Sequence, residues 1–529
     1  MKILVSDSLS PSGIGILKQA GFDVDVKTGL SEDQLVACIG AYDALLVRSG
    51  TKATAKVINA GENLKVIGRA GVGVDNVDVP AASRQGIVVM NTPGGNTITT
   101  AEHALSLLTS LARNIAAADA SVRQGRWERK LYEGVELAGK TLGIIGLGRI
   151  GREIALRVQA MGMQVVAYDP LLTRDEAQRM GVKLLSLDEL YPAADFITVH
   201  TPINDQTRHL INKDTIAKMK TGVRIVNCAR GGIINEPDLA EAIKSGKVAG
   251  AALDVFEQEP PTADNPLTKM EQVVCTPHLG ASTTEAQDKV AFDVAEQVAA
   301  FFQKGVVINA VNAPQLAAEV QSVLAPYLDL AQNLGRLLGQ LIGEGGKVLK
   351  VQAGLNGEQL QQHAKVINTY LLAGLMGGLY SHNRVNVINA KLLADEKQIE
   401  LKPPQKQSDE DYSNLIHLQA ETDKGTRTAA ATLLGGKFPR IVMLDDFRVE
   451  FEPTGCVLIL FNQDMPGIIG NIGTALGQEH INIANMQFGR RVSGGEAISI
   501  FRVDSHIPDN LLPQFANLPH INSVQQVCL

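Results

Sequence analysis

The sequence predicts an α/β protein in which two doubly wound parallel sheets are followed by an α+β unit and a small ferredoxin-like unit. Three observations support this fold class. Strand-like apolar runs alternate with helix-like stretches through residues 1–312. Gly146, Gly148 and Gly151 follow one such run in the spacing of a strand–turn–helix unit. Residues 455–529 follow the order βαββαβ, which is that of the ferredoxin-like motif.

Length, charge and cysteine content narrow the class of protein further. A length of 529 residues predicts about three or four domains, and the net charge of −7 gives no general electrostatic reason to bind nucleic acid or an anionic membrane. We expect no membrane span and no signal peptide, because no apolar run is long enough and the first residues lack an apolar signal core. The five cysteines are scattered without a C-x-x-C pair, so we expect a cytoplasmic protein with neither a disulfide framework nor a metal site.

Residues 1–96 are expected to form the first α/β unit, to which residues 285–312 return. Arg48 and Arg69 each lie at the end of a strand, where open parallel sheets bind ligands. The loop of residues 71–75 follows Arg69 and can present backbone N–H groups to an anion. Two arginines at equivalent positions favour an anion site, although a surface salt bridge explains either one alone. Strands are expected at residues 2–7, 22–27, 44–48, 65–69 and 88–90, and a helix at residues 11–20.

The second unit, residues 97–284, is expected to open with one long helix at residues 97–122, with Thr99 and Thr100 as possible caps. Residues 123–130 form a dense basic stretch with the only tryptophan, and a solvated loop is the simplest interpretation of it. Further strands are expected at residues 196–200, 224–228, 249–254 and 272–275, and a helix at residues 284–303.

A dinucleotide-binding motif occupies residues 141–169. Between the strands Thr141–Ile145 and Gln164–Tyr168 lie the three glycines and a helix expected at residues 149–161. The glycines permit a tight turn and close approach of a pyrophosphate, and the helix N-terminus favours anions. Asp169 lies where a carboxylate can bind a ribose 2′-hydroxyl and repel a 2′-phosphate. The motif therefore predicts a Rossmann-like domain that binds NAD rather than NADP.

Three residues at strand ends of the second unit have side chains that can take part in catalysis. Arg230 can hold a carboxylate with its planar fork, and the imidazole of His278 titrates in the range that a general acid or base needs. Glu259, if it contacts His278, would orient the ring and raise its pKa. With a hydride acceptor, these groups suffice to oxidise a 2-hydroxy acid. Each alone also has a structural explanation, and sequence separation does not prove that Glu259 meets His278.

Beyond Pro314 the sequence shows no catalytic constellation. Residues 315–342 and 360–394 are expected to be rich in helix, with strands at 347–353, 415–421, 440–444 and 447–451. In the final unit, strands are expected at residues 456–462, 483–490 and 497–503 and near Val524, with helices at 468–479 and 508–516.

Seven motifs in residues 1–312 resemble those of the D-isomer-specific 2-hydroxyacid dehydrogenases: VRSGTKAT, GRAGVGVDNVD, GLGRIG, VHTP, NCARGGI, ALDVFEQEP and PHLGAST. Residues 313–452 and 455–529 resemble the intervening, allosteric substrate-binding domain and the ACT domain of long forms in this family. The resemblance implies NAD-dependent oxidation of 3-phospho-D-glycerate to 3-phosphooxypyruvate, the first step of L-serine biosynthesis.

The resemblance also implies roles for individual residues. His278 would be the general acid/base, Glu259 would support it, and Arg230 would anchor the substrate carboxylate. The substrate would also meet Arg48, Ser49, Arg69, Val72 and Gly73, completed by Arg129 from a second copy of the chain, which implies a homodimer or homotetramer. NAD contacts would come from Gly146, Gly148, Arg149, Ile150, Gly151, Asp169, Thr201, Cys228, Ala229, Arg230, Asp254, His278, Leu279, Gly280 and Ala281.

In the ACT unit, Asp464 and Asn482 match positions that bind the feedback inhibitor L-serine in serine-sensitive relatives. A paired ACT interface would bring this carboxylate and amide to the ammonium and carboxylate of an amino acid. The residue two before Asp464 is aromatic in at least one serine-regulated relative and is Asn462 here, so the sequence departs from that pattern.

Two alternative functions remain open at this point. A reductase for hydroxypyruvate or another 2-hydroxy acid would use the same catalytic residues, but Arg48, Arg69 and Arg129 favour a phosphorylated substrate. A nucleotide-sensing corepressor would use the same fold without catalysis, but the complete set of Arg230, Glu259 and His278 argues against it.

Overall fold

A five-stranded parallel sheet forms the first unit of the computed structural model, which describes residues 1–314, 318–343, 346–380, 384–406, 411–508 and 510–529. Its strand order β2-β1-β3-β4-β5 reverses between β1 and β3, where a doubly wound sheet opens a crevice. The strands are β1 (Lys2–Val5), β2 (Asp23–Val26), β3 (Ala44–Val47), β4 (Val66–Arg69) and β5 (Val88–Met90). The helices are α1 (Pro11–Gln19), α2 (Glu32–Ile39), α3 (Ala55–Ala60) and α4 (Val79–Arg84).

A seven-stranded parallel sheet forms the second unit, in the order β12-β11-β10-β9-β6-β7-β8, which reverses between β6 and β9. Its strands are β6 (Thr141–Ile145), β7 (Gln164–Tyr168), β8 (Lys183–Leu184), β9 (Phe196–Val199), β10 (Val223–Asn227), β11 (Val248–Leu253) and β12 (Val273–Cys275). Its helices are α5 (Thr97–Arg113), α6 (Ile115–Arg123), α7 (Arg149–Ala160), α8 (Arg174–Arg179), α9 (Leu187–Ala193), α10 (Lys213–Lys218) and α11 (Glu236–Lys244), with 3-10 helices at Arg129–Tyr132 and Pro266–Lys269.

The chain then returns to the first unit through helix α12 (Thr284–Lys304). Val290, Val294 and Val298 of α12 belong to the same buried core as strands β1, β3 and β4. After the helix, the N–H group of Val311 donates to the carbonyl oxygen of Val89 at 2.8 Å. The second unit is thus inserted into the first along the chain, because the core of the first sheet is built from sequence on either side of it.

The third unit is a largely antiparallel sheet in the order β14-β13-β16-β17-β18-β19, with β15 beside β13. Its strands are β13 (Val348–Asn356), β14 (Glu400–Leu401), β15 (Gln405–Lys406), β16 (Leu415–Thr422), β17 (Gly425–Leu434), β18 (Phe438–Leu444) and β19 (Phe447–Phe451), and its helices are α13 (Ala318–Ile342), α14 (Glu358–Gln362), α15 (Ala364–Leu379) and α16 (Ala390–Glu396). The predicted helical segments also include residues 315–317 and 381–383, which lie outside the described residues.

The last unit is an antiparallel sheet in the order β21-β22-β20-β23. It comprises β20 (Cys456–Gln463), α17 (Ile468–Gln478), β21 (Ile483–Arg490), β22 (Glu496–Val503), α18 (Leu512–Ala516) and β23 (Ile521–Cys528), which is the βαββαβ order of the prediction. The last helix begins at Leu512 rather than at Pro508, and residue 509 lies outside the described residues. The α/β fold class with two parallel, Rossmann-like sheets is confirmed, and none of the described helices is long and apolar enough to cross a membrane.

The prediction of one continuous helix at residues 97–122 is wrong. Asn114 takes a left-handed conformation with φ of 52°, which ends one helix at Arg113 and starts the next at Ile115. Asparagine adopts this conformation more readily than most residues, because its short polar side chain can bond locally; here it donates to the carbonyl oxygen of Glu133 at 3.1 Å. Asn96, rather than Thr99 or Thr100, occupies the position before the first helical residue.

The expectation that no cysteines pair is also wrong. Strands β20 and β23 place Cys456 directly opposite Cys528, and the two residues form a disulfide with their Cα atoms 4.2 Å apart. The pairing depends on the register of two strands 72 residues apart in sequence, which the spacing of cysteines alone does not reveal. Cys38, Cys228 and Cys275 are free.

Candidate active site

The glycine loop after β6 is open on the side where a dinucleotide would lie. Gly146 has φ of 96°, a conformation that side chains disfavour. A Cβ atom on Gly151 would overlap the carbonyl oxygen of Gly146, so this glycine allows α7 to pack against the turn. A Cβ atom on Gly148, at the start of α7, would meet no protein atom within 4 Å. The loop therefore has a close-packed inner side and an empty outer side, with Arg149 and Ile150 following in the first turn of the helix.

Asp169, at the end of β7, is tied to this loop. One of its carboxylate oxygens accepts the N–H group of Leu147 at 2.9 Å, and the other accepts the N–H group of Leu171 at 2.9 Å. Thr201 follows β9 on the other side of the switch point, and its buried hydroxyl has no hydrogen-bond partner among the described residues. An open glycine, a strand-end carboxylate and an unpartnered buried hydroxyl together fit a bound dinucleotide.

Cys228 and Ala229 continue the same edge after β10. The side-chain oxygen of Asn227 accepts the N–H group of Ala229 at 3.0 Å, and its amide nitrogen donates to the carbonyl oxygen of Arg230 at 2.9 Å. Burial raises the pKa of the Cys228 thiol, so this group stays protonated and acts as a packing residue. The backbone of residues 228–230 is thereby held at the carboxyl edge of the sheet.

His278 and Glu259 are in direct contact. Nδ1 of His278 lies 2.7 Å from Oε2 of Glu259, while the other carboxylate oxygen accepts the N–H group of Phe256 at 3.1 Å. The hydrogen bond with Glu259 raises the pKa of His278, against the opposing effect of burial. Burial alone would raise the pKa of Glu259, but the hydrogen bond and charge of His278 lower it overall. The ring is therefore fixed by Nδ1, and Nε2 is left for a reacting group.

Asp254 anchors the loop that carries His278. Its carboxylate is buried, with a relative accessibility of 1%, and accepts the N–H groups of Leu279 and Gly280 at 2.7 and 2.8 Å. The hydroxyl of Thr276 donates to it at 2.6 Å, and Nε2 of His103 lies 3.0 Å away. His278 itself has φ of 54°, so these bonds hold a backbone conformation that histidine seldom adopts.

Other contacts fix the rest of this loop. The hydroxyl of Thr100 in α5 donates to the carbonyl oxygen of Gly280 at 2.9 Å, which gives Thr100 a role other than the predicted cap. Ala281 follows directly, and Leu279 keeps 40% of its surface exposed. The structure therefore gathers every predicted strand-end residue of the second unit along one edge of its sheet.

Arg230 reaches across to the first unit. Its Nε donates to Asp75 at 2.8 Å, and its guanidinium lies against Gly73, where a Cβ atom would overlap Nη2. Arg69 stacks in the same way on Gly71. Burial, together with the nearby charge of Arg230, lowers the pKa of Arg69 to about 10. The Arg69 Nε atom is buried without a hydrogen-bond partner among the described residues, as expected of a group that awaits an anion.

Arg48 completes this group of cations at the switch point of the first sheet. Its N–H group donates to Asp7, which follows β1, at 2.6 Å, and its guanidinium donates to the carbonyl oxygen of Ser8 at 3.0 Å. Asn76 holds the adjoining segment, which includes Ser49, by donating to the carbonyl oxygens of Arg48 and Thr51, each at 2.6 Å. Val72 is held by Asn91, whose side chain donates to its carbonyl oxygen at 2.5 Å.

Arg129 is not part of this cluster within one chain. It lies in the exposed 3-10 helix Arg129–Tyr132, and its side chain forms no hydrogen bond or ion pair with the described residues. Trp127 and Leu131 beside it are 78% and 69% exposed. The basic stretch is thus a surface with two large apolar side chains.

The two candidate regulatory residues lie at opposite ends of the last sheet. Asp464 follows β20 beside Gly495, and its carboxylate accepts from Arg490 at 2.9 Å and from the N–H group of Gly494 at 3.1 Å. Asn482 precedes β21 at the other end and donates to Asp504 at 2.7 Å. One small ligand can touch both only if a second copy of the unit contributes one of them.

Sequence reasoning missed several residues that build these sites, namely Asp7, Asp75, Asn76, His103 and Thr276. Asp7 and Asn76 bond to the backbone of Arg48, and Asp75 pairs with Arg230. His103 and Thr276 contact the carboxylate of Asp254. Asp7 follows a strand and carried the same positional signal as Arg48. Thr276 directly follows β12 and carried that signal too. Asp75, Asn76 and His103 lie in a loop or on a helix face, and only tertiary contacts identify them.

Comparisons with known proteins agree with this geometry. Residues 105–280 match the D-isomer specific 2-hydroxyacid dehydrogenase, NAD binding domain. Residues 323–445 match the D-3-phosphoglycerate dehydrogenase intervening domain, and residues 457–520 match the ACT domain. A D-3-phosphoglycerate dehydrogenase of Synechocystis sp. is 46% identical over 532 residues, which cover 100% of this chain and 95% of that protein. The chain belongs to the D-3-phosphoglycerate dehydrogenase family.

Other members of the D-3-phosphoglycerate dehydrogenase family match over the same length. The protein of Bacillus subtilis is 43% identical, with 100% of this chain and 99% of that protein covered. Among solved structures, the NAD-dependent formate dehydrogenase from Staphylococcus aureus in complex with NAD is 30% identical with a TM-score of 0.54, covering 60% of this chain and all of that one. The prediction of an oxidoreductase that uses NAD is confirmed.

Proposed function

We propose that the protein oxidises 3-phospho-D-glycerate to 3-phosphooxypyruvate with NAD, the first step of L-serine biosynthesis. The observation that carries this proposal is the contact of His278 with Glu259 near Arg230, whose charge acts both on His278 and on Arg69, beside Arg48. A proton acceptor beside a cluster of cations is what a phosphorylated 2-hydroxy acid requires. The names and lengths of the relatives support the same reaction.

His278 would take the proton of the substrate hydroxyl on Nε2. Glu259 accepts the Nδ1 proton, so the ring presents its unprotonated nitrogen to the cleft and the imidazolium that forms stays paired with a carboxylate. Bound NAD would supply the hydride acceptor next to the substrate C2 atom. Asp254 would keep the loop of residues 276–280 in the conformation that points His278 at that carbon.

The arginines would hold the two anionic ends of the substrate. Arg230 would bind the carboxylate with its fork, and Arg69 and Arg48, with backbone N–H groups near Ser49, Val72 and Gly73, would bind the phosphate. The glycines at 71 and 73 support this assignment, because any side chain there would displace the guanidinium groups of Arg69 and Arg230.

The experiment that tests the proposal compares initial rates of NAD reduction with 3-phosphoglycerate, glycerate and lactate. We expect turnover of the phosphorylated substrate and a loss of about 10²–10⁴ in kcat on His278→Ala, the usual contribution of a general base. Robust activity of His278→Ala would contradict the catalytic role. Preference for an unphosphorylated hydroxy acid or for hydroxypyruvate reduction would favour the alternative reductase.

We propose that the active form is a homo-oligomer in which Arg129 reaches the phosphate site of a second copy. Val122, Trp127 and Leu131 leave large apolar surfaces exposed around this arginine, with exposures of 54%, 78% and 69%, and such patches are typical of interfaces. Sedimentation should show a dimer or larger species, and Arg129→Ala should raise the KM for 3-phosphoglycerate with little change for NAD.

We propose L-serine as the effector of the ACT domain, bound between two copies through Asp464 and Asn482. The positions of these residues at opposite ends of one sheet support a site that needs two chains. Inhibition of 3-phosphoglycerate oxidation by L-serine, and its loss in Asn482→Ala, would support the site. We also place the reaction in the cytoplasm, in keeping with the free Cys38, Cys228 and Cys275, while the disulfide between Cys456 and Cys528 stands against this placement.

A further inference from the structure

A cavity of about 370 Å³ lies between the first α/β unit and the intervening domain. Its volume is within the range of small-molecule sites. From the first unit it is lined by Arg84, the last residue of α4, and Gln85; from the intervening domain it is lined by Arg384, Asn389, Leu392 and Glu396. None of these residues belongs to the candidate active site.

The two walls of this cavity are fixed to each other by hydrogen bonds. The side chain of Asn386 donates to the carbonyl oxygen of Gly86 at 2.7 Å, and the buried Asn389 ties this segment together by donating to the carbonyl oxygen of Arg384 at 2.7 Å. Ile388 is buried in the hydrophobic core of the first unit. The cavity therefore lies where a hydrogen bond and a buried side chain hold the two domains together.

The charges that face the cavity are unbalanced. The guanidinium groups of Arg84 and Arg384 form no ion pair or hydrogen bond with the described residues, and Glu396 is the one acidic residue of the lining. Two arginine forks that line one cavity without an anionic partner among the described residues are suited to bind a carboxylate or phosphate group. Leu392, which is 40% exposed, offers apolar surface to a short carbon chain.

We propose that this junction is a second anion site, which binds a small carboxylate or phosphate ester between Arg84 and Arg384. The junction is linked by a short stretch of chain to residues 71–76, the loop that follows Arg69. Asp75 pairs with Arg230, Asn76 holds the Arg48 carbonyl oxygen, and Asp78 caps the six-residue helix α4 that ends at Arg84. An anion that moves Arg84 would therefore act on the loop that meets the substrate.

The test measures binding of two probes, inorganic phosphate and malonate, to the full-length protein by calorimetry at constant ionic strength. In the wild-type protein, phosphate or malonate should bind at two sites in each chain. One site is formed by the arginines of the candidate active site, and the other is the junction. The pair of substitutions Arg84→Ala and Arg384→Ala should remove one site, Arg69→Ala should remove the other, and all three together should remove both. Lys391→Ala, on an exposed position of α16 outside the cavity, is the matched control.

The outcomes separate this proposal from the proposed function. Wild-type stoichiometry in the Arg84→Ala, Arg384→Ala variant, or a single site in wild type that only Arg69→Ala removes, would overturn the second site and leave the dehydrogenase assignment intact. Loss of one binding site for phosphate or for malonate in the Arg84→Ala, Arg384→Ala variant supports the second anion site. The probe that binds this site more tightly identifies the kind of anionic group it takes. The side chains of Arg84 and Arg384 form no hydrogen bond or ion pair with the described residues, so circular dichroism of the variants should match wild type.

Discussion

At the scale of single residues, we expect the contact between His278 and Glu259 to set the pH dependence of the proposed reaction. The proposed mechanism requires a neutral His278, and Glu259 raises the pKa of that imidazole, so activity should fall as pH drops below this raised value. Glu259→Gln removes the charge and most of the stabilisation of the imidazolium. We expect the acidic limb of the kcat/KM profile to move to lower pH, with a lower plateau because the ring is less well oriented.

A neighbouring carboxylate gives the matched control for this prediction. Glu257 contacts His209 at 3.1 Å rather than His278, so Glu257→Gln should leave the acidic limb in place. An acidic limb that stays fixed in Glu259→Gln would show that another group controls the profile.

Asp169 has two roles that substitutions can separate. Its carboxylate supports the glycine loop through Leu147 and also places a negative charge where a 2′-phosphate would lie. Asp169→Ala should relax the preference for NAD over NADP and also weaken binding of both. Asp169→Asn keeps an oxygen for the Leu147 N–H group but loses the charge and the acceptor for the Leu171 N–H group, so it should relax the preference with less loss of affinity than Asp169→Ala. Equal NAD/NADP ratios of kcat/KM in wild type and both variants would contradict this role.

At the scale of secondary structure, helices α13 and α15 form the closest packing in the intervening domain. Four glycines bring the two backbones together: Gly335, Gly339, Gly374 and Gly378. A Cβ atom on Gly374 would overlap the carbonyl oxygen of Gln332 in the facing helix, and backbone cannot move aside as a flexible side chain can. This contact explains why so apolar a pair of helices contains so many glycines.

Gly374→Ala should therefore destabilise the protein despite the better helix propensity of alanine. Overpacking of a core costs about 1–3 kcal/mol in the free energy of unfolding, which outweighs the gain of about 1 kcal/mol from replacing glycine in a helix. Gly377 lies on the same helix, but a Cβ atom added there would come no closer than 4.0 Å to its nearest neighbour, the Cβ atom of Val385. Gly377→Ala should accordingly be neutral or stabilising in urea denaturation, and similar midpoints for the two variants would contradict the packing argument.

The strands and helices of the structure show which features of a sequence are enough to predict secondary structure. Strands β6 and β7 match their predicted bounds, because continuous apolar runs between turn residues identify buried parallel strands. Strand β17 was missed, because its alanines and threonines have no strong apolar pattern and pair with β16 and β18 only through tertiary contacts. The break at Asn114 was missed because residues on both sides continue the helical period.

The same distinction holds for the candidate site. Arg230 and His278 follow strands and Arg69 is the last residue of one, so the rule that ligands bind at strand ends was enough to select them. Asp75 and His103 carry no such positional signal. Their importance lies in contacts with residues 155 and 151 positions away in the chain, and these contacts exist only once the two units have folded.

At the scale of the whole molecule, the intervening and ACT domains share one hydrophobic core. That core includes Leu337 of α13 together with Val457, Ile498 and Val527 of the last sheet. The side chain of Gln340 both donates to and accepts from the backbone of Cys528, at 2.8 and 3.0 Å, which closes the open edge of β23. The two domains are thus joined by buried contacts as well as by the chain.

We therefore expect the intervening and ACT domains to unfold together. Hydrogen exchange should show backbone amides of β20, β22 and α13 losing protection in the same cooperative event, since elements of one core unfold as a unit. Exchange of the β20 and β22 amides at a much lower free energy than those of α13 would show that the ACT domain opens alone.

The ion pair between Arg230 and Asp75 has a consequence for how the substrate enters. The fork of Arg230, which would take the substrate carboxylate, is paired with a carboxylate of the protein, that of Asp75. If Arg230 binds the substrate carboxylate as proposed, the substrate would exchange one counter-ion for another, and Asp75 would be released to solvent on a side chain that is already 61% exposed. Such an exchange would leave Arg230 paired with a carboxylate both before and after binding, which would limit its repulsion with the neighbouring Arg69.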